Sequence, residues 1–201
     1  MQASRKSISR GDILDLNDYI AVRKERRAEI VAMKKNRRVE VGPHATFYFE
    51  NFDTMLQQIQ EMLYIEKGGE EQIADELAAY NPLIPQGSEL VCTLMFEIDD
   101  PARRDRVLRT LAHVEEQIFI QVGNEKIKAV PETDVDRTSE DGKTSSVHFL
   151  HFPFTEEQVA AFSNPDKQVM LGCDHPNYAH LAVLTPKVRA ALAEDFDDLP
   201  D

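Results

Sequence analysis

Between residues 89 and 98 the chain reads ELVCTLMFEI, and Leu90, Cys92, Leu94, Phe96 and Ile98 alternate onto one face. Period-two alternation predicts a half-buried strand. DPARRDRVLRTLAHVEE follows with Asp100 and Pro101 in the places of an N-cap and a first helical residue, which predicts a helix across residues 100–116. QIFIQVG and NEKIKAV then read as two strands joined at Gly123-Asn124. The same order recurs: TSSVHFLHFPF (strand), TEEQVAAFSN (helix capped by Thr155), KQVMLGCDH and NYAHLAVL (strands). Laid over one another, Leu94 meets Leu150, Phe96 meets Phe152, Ile98 meets Phe154, and Gly123-Asn124 meets Asp174 to Asn177. Residues 131–142 are charged and aperiodic, as a connector is. We expect two β-α-β-β modules, about 89–130 and 145–185, forming antiparallel sheet with helices on one face. A last helix begins at Thr185 and Pro186.

Upstream, Phe52, Met55, Leu56, Ile59, Met62 and Leu63 recur at helical spacing and predict a helix over residues 52–66, with Asp53, Gln57, Glu61 and Tyr64 on its other face. A second helix through EEQIADELAAY stops at Asn81-Pro82, because the residue before proline is pushed out of helical dihedrals. VEVGPHATFYFEN has β-rich runs on both sides of Gly42-Pro43-His44 and predicts a hairpin. Before it, apolar Tyr19, Ile20, Ile30, Val31 and Met33 stand among charges after the cap-type residues Ser9, Asp12 and Asn17, the pattern of one amphipathic helix or two in succession. The fold class is therefore α+β: a basic helical head over residues 1–38, then a body over 39–201, in a single domain. At 201 residues with a 42% apolar fraction the chain can bury a sizeable core.

Charge changes this picture. The net charge is −13, yet residues 1–38 carry 11 Lys and Arg against 5 Asp and Glu, leaving 12 against 31 for the rest. A basic head on an acidic body suits docking onto that body or onto a sister subunit, so a homodimer is expected. Nucleic acid is disfavoured as a partner, since phosphate contact needs clustered Lys and Arg, and bases need interleaved aromatics. No window reaches the roughly 18 apolar residues of a membrane span, and MQASRKSISR has no apolar stretch behind it, so the chain is expected to be cytoplasmic.

The candidate chemistry concentrates in CDHPNYAH, residues 173–180. Cys92 and Cys173 form no Cys-x-x-Cys pair, and Cys92 falls on a core face. His148 shares the face of Leu150 and Phe152, whereas His151 lies on the other, so both cannot serve one site in a regular strand. The remaining set is His151, His175 and His180 with Asp174 or Cys173, donors that suit a transition metal such as zinc or iron. The alternative is a turn set by Asp174 and Asn177 and stiffened by Pro176. Glu50, Asp53 and Glu61 can be read as paired carboxylates for acid/base work or as caps and a solvated face. Familiar catalytic motifs are absent from the sequence.

Several phrases together, KKNRRVEVGP, YFENFDTMLQQIQEML, AYNPLIP, SSVHFLHF and CDHPNYAH, resemble the bacterial family called domain of unknown function 3501, in the same order over nearly the whole chain. The resemblance implies no established activity. It implies a neighbourhood of rubrerythrin-like and iron-sulfur oxidoreductase proteins, hence a redox protein as partner. It also directs attention to Arg37, Arg38, Glu50, Asn51, Asp53, Gln60 and Glu61 as a polar cluster that binds an anion or ties elements together. The reading from sequence is a non-catalytic binding or accessory component, with a metal-dependent histidine enzyme as the alternative.

Overall fold

The structure is a computed structural model that describes residues 5–133 and 136–197. The fold is α+β, with six α-helices and two antiparallel sheets among those residues. A hairpin of β1 (Arg38–Val41) and β2 (Ala45–Glu50) is followed by α2 (Phe52–Glu66), α3 (Gly69–Tyr80) and β3 (Glu89–Phe96), after a first helix, α1 (Leu16–Lys34). Then come α4 (Pro101–Leu108), β4 (Ile118–Val122), β5 (Glu125–Lys128), a short β6 (Val130–Pro131) and β7 (Val147–Pro153). The chain ends with α5 (Glu156–Ser163), β8 (Val169–His175), β9 (Tyr178–Val183) and α6 (Pro186–Ala193).

The strands divide in a way that alternation alone did not reveal. One sheet has the order β1-β2-β3-β7-β6 and the other β5-β4-β8-β9. The first strand of each expected module therefore joins one sheet, and the two module hairpins join the second. Their inner faces meet in one core that includes Phe47, Leu94 and Phe152 from the first sheet and Ile120, Leu171 and Cys173 from the second. Two sheets packed face to face bury more apolar surface than one sheet covered by short helices could. The helix expected over 100–116 ends at Leu108; His113 takes a left-handed φ of 58°, and Leu111 and Val114 drop fully into the core.

The ladder registers bear on the duplication. The overlay that matches Leu94 with Leu150 matches Thr93 with Phe149, and these two residues face each other across β3 and β7. Both hairpins turn through two residues, between Val122 and Glu125 and between His175 and Tyr178. Matching those turns makes Phe119 the counterpart of Gly172, and these two again face each other, across β4 and β8. A twofold relation between copies demands that counterparts meet at the axis, a condition that both registers meet. The same register matches His180 with Ile127, one position from the Lys126 expected, because β8 runs on through His175 where the sequence suggested a longer turn.

A second cluster covers the outer face of the five-stranded sheet. Phe52, Met55 and Ile59 of α2 and Ile73 of α3 pack with Ile8, Ile13, Leu83, Ile84 and Val91. Asn51 caps α2 by accepting from the Thr54 amide at 3.0 Å. At the far end of the sandwich, Phe154, Phe162 and Phe196 form an edge-to-face trio with centroids 4.9–5.7 Å apart. No helix among the described residues is long and apolar enough to cross a membrane.

Candidate functional site

The histidines are dispersed, for the reason that strands alternate. His148 is wholly buried, with Nε2 3.0 Å from the Ser145 carbonyl and Nδ1 3.6 Å from Glu115 Oε2. Burial pushes its pKa down, against the pull of Glu115. His151 lies on the opposite face of β7, clamped between Glu89 (Nδ1, 2.9 Å) and Glu132 (Nε2, 2.8 Å). Glu89 first, and Glu132 after it, raise its pKa against a desolvation that lowers it. Both ring nitrogens are thereby committed to carboxylates, as an imidazolium would have them.

His175 and His180 occupy the inner face of β8 and β9, away from His151. His175 is buried and its Nδ1 accepts from the Asn177 amide at 3.2 Å. Asp174 points to the other face of β8, where Lys126 Nζ donates to it at 2.6 Å. His151, His175, His180 and Asp174 thus do not converge, and among the described residues no group of three His, Cys, Asp or Glu could hold a metal ion. The turn reading accounts for Asn177, whose Nδ2 donates to the Thr110 carbonyl at 2.8 Å.

What CDHPNYAH does is lock the two sheets together. The Tyr178 hydroxyl accepts from the amides of His44 and Ala45 and donates to the Val41 carbonyl, each at 2.8 Å, so one phenol oxygen pins the Gly42-Pro43-His44 turn. The His180 ring stacks edge-on to Tyr178 with centroids 4.6 Å apart and lies over Gly42, whose φ is +69°. A Cβ on Gly42 would stand 2.5 Å from that imidazole. Both cysteines are buried free thiols whose pKa burial pushes up, the opposite of a reactive thiolate.

The expected polar cluster divides into separate networks. Arg37, 2% exposed, donates to the carbonyls of Phe49, Glu50 and Ala191, each at 3.0 Å, and pairs with Asp195. Burial pushes the Asp195 carboxyl up to about 6, opposed by Arg37. Arg38 faces outward to Glu40 and Glu97. Glu50 accepts from the hydroxyls of Thr54 (2.6 Å) and Thr93 (2.8 Å), and among the described residues no arginine pairs with its carboxylate. Gln60 donates to and accepts from the backbone of Leu14. The guanidinium groups of Arg37 and Arg38 are engaged by the chain itself, which is the tying-together alternative.

Glu61 belongs to a network that sequence reasoning missed in part. Arg23 grips it through Nε (2.9 Å) and Nη2 (2.8 Å), the Tyr19 hydroxyl donates to it at 2.5 Å, and Gln57 donates to that hydroxyl at 2.6 Å. Arg23 first, and Tyr19 after it, lower the Glu61 pKa, while burial and Glu61 push Tyr19 up to about 12. The i, i+4 spacing of Tyr19 and Arg23 was the available signal, but Tyr19 reads as an apolar position until Glu61 is seen opposite it. Asp195, Glu89 and Glu132 carried no signal of their own.

Around this network lies a cleft between α1 and α2, extended towards α3. Two cavities of about 200 and 230 Å³ meet at Leu14, Tyr19 and Gln60. The first has an apolar floor of Ile30, Met33 and Leu56 with Asp53, Arg26 and Glu29 at its rim; the second is floored by Ile13, Leu63 and Ile73. Asp53 is exposed on the rim. Such a cleft can bind an amphipathic segment or small molecule.

The sequence model of one family, described as "Protein of unknown function (DUF3501)", matches residues 7–196. No curated protein matches the chain. A crystal structure at 1.90 Å of a novel protein of unknown function from Burkholderia pseudomallei K96243 is similar throughout, with 38% identity and a TM-score of 0.87 over 95% of this chain and 100% of that one. Family match and structural likeness span the head, the helical layer and both sheets, and the chain belongs to the family of proteins of unknown function DUF3501.

Proposed function

We propose that the protein is a non-catalytic binding component, in which the sandwich is the scaffold and the cleft between α1 and α2 receives part of a protein partner. The observation that supports this is a contrast within the molecule. Glu61, Arg37 and His151 are each committed to partners in the chain, whereas Asp53 and the apolar floor of Ile30, Met33 and Leu56 face an open cavity. Recognition needs an apolar floor with a few polar groups to orient the occupant, and this cavity offers both. The redox setting rests on the family resemblance, and it names iron-sulfur oxidoreductase and rubrerythrin-like proteins as the partners to try first.

The test places a photo-crosslinking amino acid at position 53, with position 187 on α6 as control, in cells that make the protein. One identified protein is expected to be trapped from position 53 alone. That protein, purified, should bind the wild type and lose at least about tenfold in affinity to Asp53→Lys. Equal trapping at both positions, or binding that ignores Asp53→Lys, refutes the reading.

A further inference from the structure

The outer side of α1 carries a different message from the cleft beneath it. Of its 19 residues only Tyr19 is buried, because the helix touches α2 along a single side. Leu16, Ile20 and Val31 are 41%, 50% and 61% exposed, and their spacings of four and eleven residues set them on one line along the helix. Lys24 and Lys34 flank that line, and neither has a carboxylate within ion-pair distance among the described residues. A soluble helix ordinarily turns such a stripe inward.

The complementary surface is on the same chain. Where α2 gives way to α3, Ile65 is 65% exposed and is followed by Glu66, Glu70, Glu71 and Asp75, all exposed. Glu71 and Asp75 make no ion pair among the described residues. One surface is basic with apolar anchors, the other acidic with an apolar anchor; Glu70 pairs with Arg10 ahead of α1, and among the described residues no ion pair joins α1 itself to the acidic surface. The charge split of the whole molecule has the same sense, 11 basic against 5 acidic residues through Arg38 and 12 against 31 beyond it.

We propose that the protein self-associates through these two surfaces, the α1 stripe of one copy docking on the Ile65-Glu71-Asp75 surface of another, reciprocally in a closed dimer. A closed twofold arrangement uses each surface once per chain and leaves neither exposed. It also sets the head's positive charge against an acidic body that would otherwise repel its own copy. Leu16 and Glu70 also line the second cavity, but Lys24, Lys34, Glu71 and Asp75 line neither cavity, so the charges that distinguish this contact lie outside the cleft.

Sedimentation equilibrium of the full chain should show a dimer at micromolar concentration whose association constant falls at least about tenfold between 50 and 500 mM salt. A head variant, Lys24→Glu with Lys34→Glu, and a body variant, Glu71→Lys with Asp75→Lys, should each sediment as monomers while keeping the wild-type circular dichroism. Mixed one to one they should form a heterodimer, because each then offers the charge the other has lost. A wild type that is monomeric at tens of micromolar overturns the proposal. So does a dimer unaffected by salt, or variants that fail to pair when mixed. If a variant does not fold, the salt dependence of the wild type still decides.

Discussion

Removing the Arg37 guanidinium tests the account of how the head is fastened to the body. In Arg37→Met the Asp195 carboxyl remains buried without its counter-ion, and the carbonyls of Phe49, Glu50 and Ala191 each lose a donor. Breaking a buried pair from one side costs about 3–5 kcal/mol. That is a large part of the roughly 5–15 kcal/mol by which a domain is folded, and at about 2–4 °C per kcal/mol it lowers Tm by about 10 °C. The pH dependence is the sharper readout. Asp195 already has a folded-state pKa raised from 3.8 to about 6, so its contribution to stability is full at low pH and falls as pH rises through that window. Without Arg37 the raised value moves higher still, and the stability deficit of Arg37→Met should widen between pH 5 and pH 7.5. Asp195→Asn added to Arg37→Met should recover part of the loss at pH 7.5, a coupling of about 2 kcal/mol in urea unfolding. A deficit below about 1 kcal/mol, or one that is the same at both pH values and additive with Asp195→Asn, would refute the reasoning.

Three further outcomes follow from the geometry. Tyr178→Phe strips one hydroxyl from two amides and a carbonyl and should cost about 2–4 kcal/mol in denaturant unfolding; a loss under about 0.5 kcal/mol would mean water replaces the phenol. Gly42→Ala meets both a positive φ and the His180 ring, so it should destabilise by about 1–3 kcal/mol, with only part restored by His180→Ala, since the backbone strain remains. His151→Gln should match the wild type above the raised folded-state pKa of His151 and be less stable by about 1 kcal/mol below about pH 6.5, where the imidazolium is bound by Glu89 and Glu132. A stability gap that instead grows with rising pH reverses that sign and refutes the clamp.

Local structure was legible where one element's own pattern decides it. The α2 bounds, the Asn81-Pro82 stop, the hairpin at Gly42 and both strand-helix-hairpin units follow from periodicity and from capping chemistry that acts within a few residues. The opposite faces of His148 and His151 were readable for the same reason, since alternation is a property of one strand. The α4 end was misjudged because Leu111 and Val114 continue an apolar pattern that the core takes up in a tighter turn.

The sequence by itself thus determined most of the elements and their inward faces, the charge division between head and body, and the family resemblance. Only the tertiary structure decided which strands share a sheet and which side chains meet: Arg37 with Asp195, His151 with Glu89 and Glu132, Tyr19 and Arg23 with Glu61, Tyr178 with the Gly42 turn. Periodicity is set by bonds and dihedrals along the chain and leaves its trace in spacing. A contact between residues 158 positions apart, as Arg37 and Asp195 are, depends on how whole layers pack, and packing leaves no mark in the spacing of either partner.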